Sequence, residues 1–220
     1  MKRLCFILSI SVAFFTNSIV SVAQSKSNFV VKAGANINYF DANFKQRSNL
    51  GYHLGGLFSF NLNSFRIQSG LIYIKRGTRT LLQEVMYTVE NHEIIDERIV
   101  HEDYDSRMVV NYIEIPLNLS LKVVGFRNNN NEVRLHVEPA LGVYISDQIK
   151  RGNDKRVFLL NHEEPNYYEE LNIGIKFGAS FKVGQFEPYA GYDIGINDIA
   201  ANHYEIRNRS VYLGLGYYIH

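Results

Sequence analysis

Between Asn111 and Val123 the chain alternates without a break. Ile113, Ile115, Leu117, Leu119, Leu121 and Val123 take one set of positions; Tyr112, Glu114, Pro116, Asn118, Ser120 and Lys122 take the other. Successive side chains of a strand point to opposite faces, so this spacing predicts one β-strand with an aliphatic face and a polar face. Strands of soluble proteins mostly run about 5–6 residues, whereas a strand tilted across a bilayer needs about 9–11. An aliphatic face suits lipid tails, but it would also suit a soluble sandwich core. The rest of the chain decides between them.

The chain opens with Lys2 and Arg3, an apolar run from Leu4 to Phe15, and small residues up to Ser21-Val22-Ala23. That is a charged n-region, an h-region and a small-x-small cleavage site, so residues 1–23 read as a cleaved signal peptide and Gln24 as the mature N-terminus. The run is too short to span about 30 Å as a helical anchor. The only cysteine, Cys5, lies in this leader, so residues 24–220 can hold no disulfide, thiolate metal site or thiol nucleophile. Without Lys2 and Arg3, 21 basic side chains stand against 22 acidic ones, which lacks the basic excess of a nucleic-acid partner. Residues 24–220 suit one domain, and none of their apolar runs approaches the roughly 18 residues of a membrane helix. Only helices and closed barrels satisfy every backbone polar group in lipid, so a membrane location would require a barrel.

Seven further stretches alternate. They are Phe29 to Tyr39, Tyr52 to Leu62, Phe65 to Arg76, Val133 to Asp147, Leu171 to Lys182, Phe186 to Ile196 and Val211 to Ile219. Leu57 and Gly56 break the second of all eight, and Ile72 and Ile74 blur the polar face of the third. The links Asn63-Ser64, Gly125–Glu132 and Val183-Gly184-Gln185 are short; Phe40–Gly51, Gly77–Met108, Gln148–Glu170 and Asn197–Ser210 are longer and polar. Short and long alternate strictly, with both chain ends on the short side. That is the asymmetry of an outer-membrane barrel, with short periplasmic turns and longer outside loops. The expected fold is all-β: an eight-stranded antiparallel up-and-down transmembrane barrel. Pro116, Pro139 and Pro188 fall inside these strands and each removes a ladder donor, so bulges or strand starts are expected there. Val-Glu-Pro-Ala-Leu-Gly at Val137–Gly142 returns as Phe-Glu-Pro-Tyr-Ala-Gly at Phe186–Gly191, a weak internal echo.

The leader ending Ser-Val-Ala-Gln, the element Asn-Tyr-Ile-Glu-Ile-Pro-Leu, Phe-Glu-Pro-Tyr-Ala-Gly-Tyr and the closing Arg-Ser-Val-Tyr-Leu-Gly-Leu-Gly-Tyr-Tyr carry a resemblance. The chain resembles the outer-membrane β-barrel domain proteins of Gram-negative bacteria, often labelled porin family or PorT-like. The resemblance spans essentially all of residues 24–220. It implies an outer-membrane location and an eight-stranded fold, and it carries no catalytic or ligand residues. The chain departs from the common barrel ending: Ile219-His220 stands where an aromatic residue is usually read by the barrel-assembly machinery.

The inward faces carry Lys32, Arg66, Glu114, Lys122, Arg134, His136, Glu138, Lys176, Lys182, Glu187 and Asp193. Eight strands enclose an interior that side chains fill, and open channels belong to barrels of about 16 strands or more. Buried charge is costly unless paired, so Lys32, Arg66, Glu114, Arg134, Glu138, Lys176, Glu187 and Asp193 are expected to form a salt-bridged lumen network. His136 with Glu138, His92-Glu93 and His162-Glu163-Glu164 lack a metal-ligand framework, and no G-x-S-x-G, H-E-x-x-H or P-loop occurs. No catalytic residue, metal set or cofactor is therefore assigned. Thr78 to Arg107 holds Glu84, Glu90, Glu93, Asp96, Glu97, Glu102, Asp103 and Asp105 against Arg79, Arg98 and Arg107. Its many apolar residues favour a strand extension above the membrane over a dedicated binding epitope. The expected role is structural or loop-mediated. The partners would be outer-membrane lipid and lipopolysaccharide, the assembly machinery, and another envelope protein through the long loops. A narrow solute or ion conductor is the alternative, and a lipid-modifying enzyme a third.

Overall fold

The computed structural model describes residues 27–41, 46–90, 93–126, 131–151, 170–198 and 207–219. The leader, and parts of the links expected at Phe40–Gly51, Gln148–Glu170 and Asn197–Ser210, lie outside them. The strands are β1 (Ser27–Asp41), β2 (Gln46–Leu62), β3 (Phe65–Glu90), β4 (Glu93–Gly125), β5 (Glu132–Arg151), β6 (Leu171–Lys182), β7 (Phe186–Gly195) and β8 (Arg207–Ile219). Each pairs antiparallel with its sequence neighbour. β1 also pairs with β8, from Phe29↔Ile219 to Asp41↔Arg207, and closes the barrel. Closure leaves no edge strand in the bilayer.

The aliphatic face of the central strand points out. Ile113, Leu117, Leu119, Leu121 and Val123 are exposed, while Tyr112, Glu114, Pro116, Asn118 and Ser120 are buried in the lumen. The outward surface is apolar on every strand and is bounded by aromatic residues. Phe29, Phe58, Phe65, Phe126, Phe181, Phe186 and Tyr217 ring the short-turn end; Tyr39, Tyr52, Tyr73 and Tyr192 lie toward the other. Phe29 and Tyr39 are ten residues apart on β1. At about 3.3 Å per residue and a tilt near 40° they stand about 25 Å apart, the height of a barrel's apolar band. The tight turns use Asn63 (φ 53°) and Gly184 (φ 58°), residues that accept the left-handed region at low cost.

The strand extension expected over Thr78–Arg107 is present, so the link from Gly77 to Met108 is mostly strand: β3 and β4 stay paired from Gly77↔Val109 to Glu90↔Glu93, through register shifts near Glu84 and Thr88. The extension outruns β2, which ends against Thr80, and β5, which ends against Ser106. The prolines do not make bulges or strand starts. Pairing lapses between Pro116↔Ala140 and Leu119↔Val137 and resumes in the same register, and Pro139↔Ile175 and Pro188↔Leu215 hold theirs. A strand held from both sides can lose one donor without slipping. Leu57, Ile72 and Ile74, which break the polar pattern, are buried in the lumen.

Candidate functional site

The polar faces of eight strands converge on the lumen and sort into layers. Toward the short turns, Arg66 is buried and donates to Glu187 and to the Tyr218 hydroxyl. Arg66 Nε also donates to Ser120 Oγ (3.2 Å). Glu187 further accepts from Tyr218 Oη (2.5 Å) and Ser180 Oγ (2.6 Å), and Gln68 donates to Tyr218 (3.1 Å). Lys182 Nζ caps this layer 4.5 Å above the Tyr218 ring.

Toward the loops, Arg76 lies between Glu114 (2.6 Å) and Asp193 and donates to Asn172 Oδ1 (3.3 Å). Lys176 Nζ donates to Glu114 (2.6 Å) and to Glu138 (3.1 Å), whose second oxygen accepts from Asn118 (2.7 Å).

A ring layer separates the two. His53 Nε2 meets Tyr189 Oη at 2.7 Å, and His136 Nε2 meets Tyr212 Oη at 3.0 Å. These rings need flat strands beneath them. A Cβ on Gly34, the cross-strand partner of His53, would stand 2.6 Å from that ring and 2.2 Å from Leu213 O; one on Gly191 would stand 2.4 Å from Tyr212 Oη. Lys32 Nζ lies 5.1 Å over the Tyr189 ring and has no carboxylate at ion-pair distance among the described residues. It lines a cavity of about 30 Å³ with His53, His136, Glu138, Tyr189 and Tyr212, room for on the order of two waters.

The structure therefore brings together Arg66 with Glu187, and Glu114, Glu138 and Lys176 with one another, with Asp193 joined through Arg76. Lys32 stands beside them, and Arg134 is apart, forked onto Glu132 (2.6 and 3.0 Å) at the turn-side mouth. Lys122, also expected inward, is exposed at that mouth. Sequence reasoning missed Arg76, which shares the parity of Arg66 and Gln68 along β3. The intervening Ile72 and Ile74 hid that signal. Parity along β5 would turn Tyr144 and Ser146 inward; Tyr144 does lie beside the lumen ring of Tyr112, but the register shift at Asn111/Tyr112 replaces Ser146 by Asp147, which is buried and accepts from Tyr144 Oη (2.6 Å). In the central layers four cations (Lys32, Arg66, Arg76, Lys176) stand against four carboxylates (Glu114, Glu138, Glu187, Asp193).

An apolar exterior, aromatic rims and a filled polar interior define a small integral outer-membrane barrel of Gram-negative type. A family model described as outer membrane protein beta-barrel domain matches residues 22–201, and the chain belongs to that family. Among solved structures, it is similar to Neisserial surface protein A, at 13% identity and a TM-score of 0.45, over 87% of this chain and 98% of that one. It is also similar to Ail, the attachment invasion locus protein of Yersinia pestis, in complex with the heparin analogue sucrose octasulfate. That likeness has 12% identity and a TM-score of 0.42, over 88% of this chain and 99% of that one. No curated protein matches the sequence.

Proposed function

We propose that this protein is a closed, non-enzymatic barrel that anchors an interaction element at the cell surface. The observation that carries the proposal is the β3–β4 ribbon. Beyond the last partners of β2 and β5, its two outer backbone edges have no strand beside them among the described residues. Such edges can take an added strand from another envelope protein, with main-chain hydrogen bonds supplying affinity. Residues 1–23 would direct export and be removed.

The test is cross-linking in intact outer membranes from ribbon positions, set against a variant in which residues 82–104 are replaced by a tight turn. A partner joined to edge positions in the full chain and lost from the folded variant supports the role. An unchanged set of cross-linked proteins sinks it. The conducting alternative is tested in planar bilayers. The filled, charge-balanced lumen supports the expectation of no stable conductance step, in the native protein or in Glu138→Gln, and reproducible ion-selective steps would favour the conductor.

A further inference from the structure

The outer end of the barrel carries a row of cations that pairing itself sets side by side. Arg47 of β2 stands directly opposite Arg79 of β3, Arg79 opposite Arg107 of β4, and Arg107 opposite Lys150 of β5. Directly opposed residues of an antiparallel pair share a face, and like charges so placed destabilise the sheet. Arg47 and Arg79 are exposed and Arg107 is half-exposed. None of these three has a carboxylate at ion-pair distance among the described residues, and Arg107 Nε is buried without a hydrogen-bond partner. The far side of the same rim differs: Arg207 stands opposite Asp41 and lies 3.5 Å from Asp198. Among the described residues nothing neutralises the β2–β5 side, and a ligand of opposite charge would.

Height says what that is. Phe65 and Leu121 are partners at the turn end of the lipid face, and Arg79 and Arg107 are partners fourteen residues above them on both strands. At about 3.3 Å per residue and a tilt near 40°, the row lies about 35 Å from that end. That is about 10 Å past the far edge of a 25 Å apolar band, within the polar layer of the outer leaflet. Long arginine side chains can lean from there toward the headgroups. Lys75, four residues nearer the membrane on the same strand, holds its Nζ 5.6 Å over the Tyr52 ring on the same face.

We infer that Arg47, Arg79 and Arg107 form a docking site for the phosphate groups of an anionic outer-leaflet glycolipid, lipopolysaccharide. Guanidinium forks pair bidentately with phosphate oxygens, and adjacent strands about 4.8 Å apart spread the three forks over about 10 Å.

The test uses the full mature barrel in phosphatidylcholine discs, titrated with labelled lipopolysaccharide. R47Q/R79Q/R107Q should bind about tenfold more weakly than the native chain. R207Q should bind within about twofold, and dephosphorylated lipopolysaccharide should lose the native affinity by the same factor as the triple variant. Heat-dependent gel mobility reports whether each variant is folded. If the triple variant does not fold, R79Q alone should weaken binding about threefold. A folded triple variant with native affinity overturns the site, as does equal binding of phosphorylated and dephosphorylated lipid. A soluble sulfated polysaccharide bound as tightly as the lipid would also overturn it, assigning the row to an external polyanion.

Discussion

Glu187→Gln tests the lumen network at its least redundant point. Glu187 and Arg66 are 1% and 2% exposed, and Glu187 is the only carboxylate at ion-pair distance from Arg66 among the described residues. The amide keeps an acceptor for Arg66 but removes the charge, and it sets an NH2 group among Tyr218, Ser180 and Arg66. Removing one partner of a buried pair costs about 3–5 kcal/mol, because the other charge stays buried and uncompensated. Glu138→Gln is the internal comparison. Lys176 there keeps Glu114 at 2.6 Å, so the loss should be nearer the about 1–3 kcal/mol of a charged hydrogen bond. The double variant Arg66→Met with Glu187→Gln removes both charges and should recover most of the loss, since an apolar replacement of a buried pair is often neutral. The measurement is urea unfolding of barrels refolded into lipid vesicles, followed by the heat-dependent gel shift. Equal losses at Glu187 and Glu138 within about 0.5 kcal/mol, or a double variant no better than the single, would refute the reasoning.

Leu119→Arg places a charge on the exposed lipid face and should cost about 2–4 kcal/mol near the midplane; Ser120→Ala, next door, removes the hydroxyl that accepts from Arg66 and should cost about 0.5–1.5 kcal/mol. Equal losses in vesicle unfolding would place the register one residue out. Gly34→Val should prevent formation of the heat-labile gel band, since its Cβ would overlap the Leu213 carbonyl and the His53 ring, whereas Gly125→Val, whose nearest atoms are 3.6–3.8 Å away on the flexible Lys122 chain, should fold. Mass spectrometry of the membrane-inserted protein should find Gln24 at the N-terminus; a retained leader would refute export by cleavage.

How much was legible in the sequence depended on whether alternation survived. β6 lies at Leu171–Lys182, the span that alternation marks, because no charge or aliphatic there is out of step. Closure followed from counting strands and from the alternation of short and long links. The outer halves of β3 and β4 were legible as an extension from their apolar residues, but their pairing register was not. Their ribbon passes through register shifts at Leu82/Glu84 and Thr88/Val89, and each shift resets the period-2 pattern that reveals a strand. Arg76 was hidden for a related reason: two isoleucines occupy inward positions between it and Gln68 and make a lumen face look like a lipid face. Ser146 and Asp147 exchanged faces where β5 slips against β4. Parity carries an assignment only as far as the next irregularity.

The same parity suggests why the lumen is charged at all. Every strand must turn an apolar face to lipid, so an apolar lumen would make the two faces alike. A one-residue slip, which exchanges the faces, would then cost little. With Glu187, Glu114, Arg66 and Arg76 inside, a slipped β3, β4 or β7 would carry a charge into hydrocarbon at about 2–4 kcal/mol for each cation near the midplane. On this hypothesis the network makes wrong registers unfavourable, whatever it adds to the right one. Arg66→Met with Glu187→Gln should then unfold at nearly the native urea concentration and yet refold into vesicles with less uniformity, giving more than one heat-labile gel band. A single native-like band at full yield would show that turns and glycine–ring contacts alone hold the register.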